Sequence, residues 1–227
     1  NLHVSIGFFD MSCRIPDPGH EFREDFQSGT RTAAAAGFTG IGLLPSTEPC
    51  VDTKSKVSYV TRHSGLNGVE IIPYATISKN REGTEITEFY DLTRSGVKAF
   101  TDDQPFSPDS TILLNALKYS QLTNSLIIAH PGNYSFLEEG MMNESEVSLR
   151  MGLKGIPDLA ESSELVKMIE VNRYASGKLH FSGISSNRTI ELLSSIPQTQ
   201  CTAECGIHHL TFSDEDLLML LFTLSSI

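Results

Sequence analysis

The chain has 227 residues, of which 39% are hydrophobic and 20% charged, and it carries a formal net charge of -11 with a pI near 5.0. This composition is typical of a soluble globular protein and excludes a chain dominated by disorder. It shows no basic cluster that would collect phosphates, so we expect no nucleic-acid partner. No apolar run approaches the roughly 20 residues that span a bilayer, so we also expect no membrane segment.

Short apolar runs rich in β-formers alternate along the chain with longer segments whose apolar residues recur every three or four positions. The first kind of pattern predicts strands and the second predicts amphipathic helices. Seven strands are predicted, at 3–13, 40–45, 69–77, 97–101, 125–130, 178–182 and 200–205. Six helices are predicted between them, at 25–36, 54–64, 85–95, 111–122, 161–176 and 187–196.

Regular alternation of strand and helix indicates an α/β fold built on a parallel sheet. Seven such units fit a (β/α)8 TIM-type barrel that lacks its last strand better than an open doubly wound sheet. A nucleotide-binding fold is disfavoured, because neither G-x-G-x-x-G nor G-x-x-x-x-G-K-S/T follows any strand. The segment 131–157 is interpreted as a long excursion of loop on one face of the barrel.

Both ends of the sequence are abrupt, with no initiator methionine and an apolar last stretch. We therefore expect residues 1–227 to form a single barrel domain that is a fragment, or that lacks segments of the complete protein. The four cysteines show no C-x-x-C pair, which predicts reduced thiols in a cytoplasmic protein rather than disulfides or a zinc ribbon.

The residues at the end of the first predicted strand carry the most specific motif. Positions 10–19 read D-M-S-C-R-I-P-D-P-G. This stretch resembles the phrase D-x-H-x-H-x-R-x-P-G of the cyclic amidohydrolases, and of dihydroorotase in particular, in which two histidines bind a catalytic metal. Because alternate side chains of a strand lie on the same side, Ser12 and Arg14 would point together at that metal position. Neither residue type is a zinc ligand.

Six further phrases resemble dihydroorotase in the same order along the chain. Each is weak alone, and together they cover nearly all of the sequence. They read S-G-T-R-T-A-A-A-A-G-F-T-G-I at 28–41, L-P-S-T-E-P at 44–49, V-K-A-F-T-D-D at 97–103, I-I-A-H-P-G-N at 127–133, L-H-F-S-G-I-S at 179–185 and C-T-A-E-C-G-I-H-H-L at 201–210. The phrase G-L-K-G-I-P-D-L-A-E at 152–161 has a counterpart as well.

The resemblance implies where the family's metal ligands would fall. Asp102, or its neighbour Asp103, matches the fourth-strand aspartate, and His130 matches the fifth-strand histidine. Ser12, Arg14 and Gly183 stand at the positions of three metal histidines. The family's catalytic aspartate would follow an eighth strand beyond Ile227, so the catalytic residue stays unknown.

Two substrate-binding positions are altered as well. The arginine that would grip the substrate carboxylate corresponds to Pro16, and the asparagine of the P-N-T loop corresponds to Ser46. A proline has no side-chain donor, and a serine reaches less far than an amide. Arg14 would repel a zinc ion and could instead pair with Asp102 or Asp103. His180, His208 and His209 are interpreted as structural rather than catalytic.

These observations predict a catalytically degenerate, dihydroorotase-like pseudoenzyme with no zinc and with a structural or regulatory role in pyrimidine biosynthesis. The resemblance implies aspartate carbamoyltransferase as a partner, and we expect a homo-oligomer. An active zinc-dependent hydrolase of cyclic amides (dihydroorotase, allantoinase or hydantoinase) with a remodelled site stays open as the alternative. A metal-free barrel that binds a small molecule is a third hypothesis.

Overall fold

The computed structural model describes residues 4–104, 108–137, 140–197 and 201–217. Its strands are β1 Phe8–Cys13, β2 Phe38–Leu43, β3 Glu70–Pro73, β4 Ala99–Phe100, β5 Leu126–Ala129, β6 Met142–Asn143, β7 Gly155–Ile156, β8 Leu179–Phe181 and β9 Cys201–Ala203. Its α-helices are α1 Phe26–Ala35, α2 Lys54–Thr61, α3 Phe89–Arg94, α4 Ser110–Thr123, α5 Tyr134–Leu137, α6 Glu146–Met151, α7 Leu159–Ala175, α8 Asn187–Ser194 and α9 Ile207–Thr211.

Seven of the strands follow one another side by side in chain order. One parallel sheet has the order β1-β2-β3, and a second has the order β4-β5-β8-β9. A parallel bridge between Ala75 and Phe100 joins the two sheets. The result is the arc of parallel strands that a (β/α)8 barrel requires. The seven predicted strands are confirmed, six with shorter bounds and β2 displaced by two residues toward the N-terminus. Residues 3 and 200 of the predicted ranges lie outside the described residues.

The interior of the arc is filled by apolar side chains from the strands and from the inner faces of the helices. Phe100 of β4 is fully buried and stacks on Phe89 of α3, with ring centroids 3.8 Å apart. Phe26 of α1 is buried and stacks on His63 at 4.4 Å. Each such aromatic contributes roughly 1.5–3 kcal/mol of burial free energy, which holds the helices against the sheet.

The six predicted helices are confirmed as α1, α2, α3, α4, α7 and α8. Helix α3 begins at Phe89 rather than at the predicted residue 85. The residues before it are held extended, because the Thr87 hydroxyl donates to the Thr76 carbonyl at 2.7 Å and Ile86 bridges Ser78. Tertiary hydrogen bonds therefore override the helical pattern in this segment.

The excursion at 131–157 is more structured than the sequence predicts. It contains the short helices α5 and α6 and the two-residue parallel pair β6–β7. Ser145 caps α6 by accepting a hydrogen bond from Ser148, and the Glu144 amide donates to the Ile156 carbonyl at 2.8 Å. Elements this short have no recognisable period, so the pattern gave no signal for them.

The four cysteines are all free, as the sequence predicts. Burial is the main cause that raises the pKa of the Cys13 thiol to about 12, so this thiol is unreactive at neutral pH. Within the described ranges, no helix is long and apolar enough to cross a membrane.

Candidate functional site

A cleft of about 1040 Å³ opens over the carboxyl ends of the arc's strands. This is the end at which the loops of a (β/α)8 barrel assemble functional residues. Ser12 lies in β1 and Arg14 directly follows it; both line the cleft, as do the neighbouring Asp10 and Met11. Asp103 follows β4, and His130 follows β5.

Arg14 and Asp103 form a two-pronged ion pair on the floor of the cleft. Nε of Arg14 lies 3.0 Å from Oδ2 of Asp103, and Nη2 lies 2.7 Å from Oδ1. Ser46 donates a third hydrogen bond to Oδ2 at 2.5 Å. Burial opposes ionisation of Asp103, but the hydrogen bonds from Arg14 and Ser46 outweigh it and hold the pKa of this carboxyl below its usual value. The predicted pairing of Arg14 with one of the two aspartates is confirmed, and its partner is Asp103.

Asp102 is turned away from the cleft. Its carboxylate accepts hydrogen bonds from the Ser78 amide at 2.9 Å and from the Ser78 hydroxyl at 2.6 Å. Burial raises its pKa in spite of these hydrogen bonds. Of the two adjacent aspartates that the sequence offers as a metal ligand, Asp103 is therefore the one whose carboxylate lies in the cleft.

His130 lies in the cleft with both ring nitrogens engaged. Nδ1 is 2.9 Å from the Ser182 carbonyl, which only accepts, so Nδ1 carries the proton. The side-chain amide nitrogen of Gln104 lies 3.1 Å from both ring nitrogens, and of the two the unprotonated Nε2 is the one that can accept from it. Burial is the largest cause that lowers the pKa of His130, so the imidazole is neutral at pH 7.

A second cluster of polar side chains connects β1 and β9, the first and last strands of the described arc. Ser12 donates a hydrogen bond to Glu204, the residue that follows β9, and its hydroxyl lies 3.4 Å from that of Ser182. His180 Nδ1 bonds the Thr202 hydroxyl at 2.7 Å, while its Nε2 lies 3.8 Å from Glu204, too far for a direct hydrogen bond. His180 is buried, as expected of a structural histidine.

The remaining predicted positions lie at or near the same cleft. Gly183 lines it with a φ of +73°, and a Cβ there would lie 3.2 Å from His130 Nδ1. His208 and His209 are exposed at its rim with ring centroids 4.0 Å apart. Pro16 is half-buried, and its carbonyl accepts from the His20 amide at 2.8 Å.

Sequence reasoning missed two residues that shape the site. Gln104 faces His130, and its position directly after the D-D pair is a signal that could have been used. Glu161, in the first turn of α7, lines the cleft and accepts from the Ser185 amide and hydroxyl at 3.0 and 2.6 Å. The contact between Glu161 and Ser185 joins residues 24 positions apart, so no local sequence pattern predicts it.

The side chains of the described cleft do not fit a zinc ion as they stand. Within residues 4–104, 108–137, 140–197 and 201–217, no three of His, Cys, Asp and Glu lie close enough to share a metal. Both oxygens of Asp103 accept from a guanidinium, and a serine and an arginine occupy the two strand positions nearest to it. Zinc requires imidazole, thiolate or carboxylate groups with free lone pairs.

Comparison with known proteins shows the family to which the chain is similar. The family model described as "Dihydro-orotase-like" matches residues 3–189. The dihydroorotase of Carboxydothermus hydrogenoformans is 33% identical over 213 residues, which are 93% of this chain and 50% of that protein. The dihydroorotase of Ruminiclostridium cellulolyticum is 32% identical over 94% of this chain and 50% of its own length. The chain thus spans about half the length of these curated relatives.

Solved structures agree on the fold. The L-hydantoinase (dihydropyrimidinase) of Arthrobacter aurescens has a TM-score of 0.70 at 17% identity, with 92% of this chain and 49% of that chain covered. The dihydroorotase of Saccharomyces cerevisiae, solved with 5-fluoroorotic acid, has a TM-score of 0.67 at 13% identity over 94% of this chain and 59% of that chain.

The fold is therefore a TIM-type barrel of the amidohydrolase kind, with its polar cleft at the carboxyl ends of the strands. The chain belongs to the dihydroorotase-like family.

Proposed function

We propose that this protein is a dihydroorotase-like pseudoenzyme, which has exchanged zinc binding for an internal ion pair and serves a structural or regulatory role in pyrimidine biosynthesis. The observation that carries the proposal is the Arg14–Asp103 pair. The resemblance assigns position 14 to a metal histidine, and the arginine there holds the carboxylate nearest to it with two hydrogen bonds.

Electrostatics supports this assignment. A guanidinium is charged at any pH at which the protein is folded, and it repels a divalent cation at close range. Asp103 has an exposed side-chain fraction of only 8%, so its charge needs a partner. In an active relative a metal would supply the positive charge, and here Arg14 supplies it. Removing zinc therefore leaves no uncompensated carboxylate at this point of the cleft.

Chemistry supports it as well. Opening a cyclic amide with water requires a nucleophile activated at neutral pH, which a zinc-bound hydroxide supplies in metal hydrolases. Ser12 is hydrogen-bonded to Glu204, and the unprotonated nitrogen of His130 faces Gln104. In the part of the cleft that the structure describes, Asp103 and His130, which hold the surviving family positions, would each have to give up a contact to bind zinc.

A structural role fits a barrel because its stability comes from the core, while its chemistry depends on the residues after the strands. The family resemblance suggests aspartate carbamoyltransferase as the partner, within a cytoplasmic assembly of several copies of this protein. In that assembly the barrel would contribute surface and rigidity rather than turnover.

We expect the full-length protein and the aspartate carbamoyltransferase of the same organism to sediment as one complex. Sedimentation velocity of the two purified proteins, separately and mixed, measures this and also reports the mass of the protein alone. The complex should form equally well in the presence of a zinc chelator, because no metal takes part in the proposal. A protein that runs as a lone monomer, with no affinity for the transferase, would contradict the structural role.

The alternative function is an active zinc-dependent hydrolase of cyclic amides, with a remodelled site that adds ligands from outside the described residues. It requires Arg14 to leave Asp103 when the metal binds. Hydrolysis of dihydroorotate by the full-length protein separates the two functions.

A further inference from the structure

Arg81 lies outside the sequence motifs described above, yet it is hydrogen-bonded to the loop after β4, which carries the cleft residues Asp103 and Gln104. It lies in the short 3-10 turn Lys79–Arg81, after β3. Its Nε donates to the Asp102 carbonyl at 2.7 Å, and its Nη2 donates to the Gln104 carbonyl at 2.6 Å. Charged donors at these distances form strong hydrogen bonds.

The two carbonyls flank Asp103, whose backbone is in an unfavourable conformation. Its φ is +54°, in the left-handed region that residues with a side chain adopt rarely, at a cost of roughly 1 kcal/mol or more. Such a conformation persists only where neighbouring contacts enforce it. Arg81 supplies a contact on each side of Asp103 and so fixes the peptide groups that orient its carboxylate.

Arg81 is itself held in place by the loop in which it lies. Asn80 and Arg81 have φ values of +51° and +62°, and the Asn80 amide donates to the Asp52 carboxylate at 3.2 Å. Ser78, at the start of the same loop, makes the two hydrogen bonds to Asp102. The loops after β3 and β4 therefore form one hydrogen-bonded unit, with the Arg81 guanidinium at its centre.

We propose that Arg81 is a positioning residue for the cleft, which presents Asp103 to Arg14 and Gln104 to His130. It touches neither Arg14 nor His130 in any described contact and acts through the backbone of residues 102–104. The inference deepens the proposed function, on which it rests, because it identifies what keeps the carboxylate in reach of the arginine that replaces a metal.

Replacing Arg81 tests the proposal through the Arg14 guanidinium. NMR measures the rate at which the Arg14 Nε–H exchanges its hydrogen with solvent in the full-length protein. We expect R81Q to make this exchange at least about tenfold faster, because the hydrogen bond from Arg14 to Asp103 opens more often. The amides on the buried face of helix α4, at Leu113, Ala116 and Leu117, should keep their exchange rates. A loss of global stability alone would speed exchange in α4 as well, so the comparison separates positioning from a merely structural role.

R150Q is the matched control, since Arg150 is an exposed arginine whose described ion pair is with Glu146 at 2.9 Å. It removes the same charge and should leave Arg14 unchanged. R81K is a second variant, which keeps the charge but lacks the planar fork, and we expect its exchange rate to fall between those of the unchanged protein and R81Q. If R81Q fails to fold, the Arg14 exchange rate in R81K decides whether Arg81 is a positioning residue.

Unchanged Arg14 exchange in folded R81Q and R81K would overturn the proposal. Because the measurement involves neither zinc, turnover nor the transferase, that result would leave the proposed function standing. Conversely, zinc-dependent hydrolysis by the unchanged protein would contradict the proposed function without deciding the role of Arg81.

Discussion

We expect the double variant S12H/R14H to bind zinc at least about 100-fold more tightly than the unchanged protein, because it adds two imidazole ligands and removes a fixed cation. Both positions line the cleft. Replacing Arg14 removes the guanidinium from both oxygens of Asp103, although Oδ2 keeps its hydrogen bond from Ser46. His130 also lines the cleft, with a neutral ring. The variant thus offers three imidazoles and a carboxylate, a set that suits zinc.

Isothermal titration calorimetry with zinc, checked by metal analysis after dialysis, measures the gain. S12A/R14A is the matched control, because it breaks the same contacts without adding a ligand, and we expect it to stay near the affinity of the unchanged protein. Gly183 is left unchanged on purpose. Its positive φ and the closeness of His130 make a larger residue there strained. Equal zinc affinity in the double variant and its control would refute the assignment of these positions.

The second large effect concerns stability. We expect R14A to lower the free energy of unfolding by about 2 kcal/mol at pH 7, because it leaves the charge of Asp103 in a largely buried position with hydrogen bonds from Ser46 and the Gln104 backbone but without the Arg14 cation. The value lies below the 3–5 kcal/mol typical of a fully buried pair, since 54% of the Arg14 side chain is exposed and solvent screens the interaction. Urea unfolding provides the measurement.

A double-mutant cycle with D103N isolates the pair from other effects of each change. The folded-state pKa of Asp103 is depressed, so its contribution to stability is complete above the unfolded value of about 3.9 and is lost as the pH falls through the folded pKa. The coupling between Arg14 and Asp103 should therefore be constant from pH 7 to pH 5 and shrink below pH 4. A coupling under about 0.3 kcal/mol at pH 7 would mean that the pair is a solvated surface contact.

The barrel strands could be predicted from the sequence because each is a short apolar run that ends in polar residues. The small pair β6–β7 could not, because two-residue strands show no alternation. Alternation along the strand also predicted that Ser12 and Arg14 would both line the cleft, although Asp10 and Met11 line it too and the register of β1 against β2 shifts between Asp10 and Cys13.

The choice between Asp102 and Asp103 lay beyond sequence reasoning. The two are chemically identical neighbours, and the left-handed backbone at Asp103 decides which carboxylate enters the cleft. That backbone depends on Arg81, whose contacts with the loop span 21 and 23 residues. The bond from Ser12 to Glu204 spans 192 residues and exists only once the arc of strands has formed. Long-range contacts of this kind leave no local pattern.

The most direct test of the central claim is hydrolysis of dihydroorotate by the full-length protein after incubation with zinc. The internal Arg14–Asp103 pair predicts no turnover above the uncatalysed rate in a folded sample. Turnover at an ordinary enzymatic rate, about 1 per second or faster, would contradict the account and show that the metal site has been rebuilt from other residues.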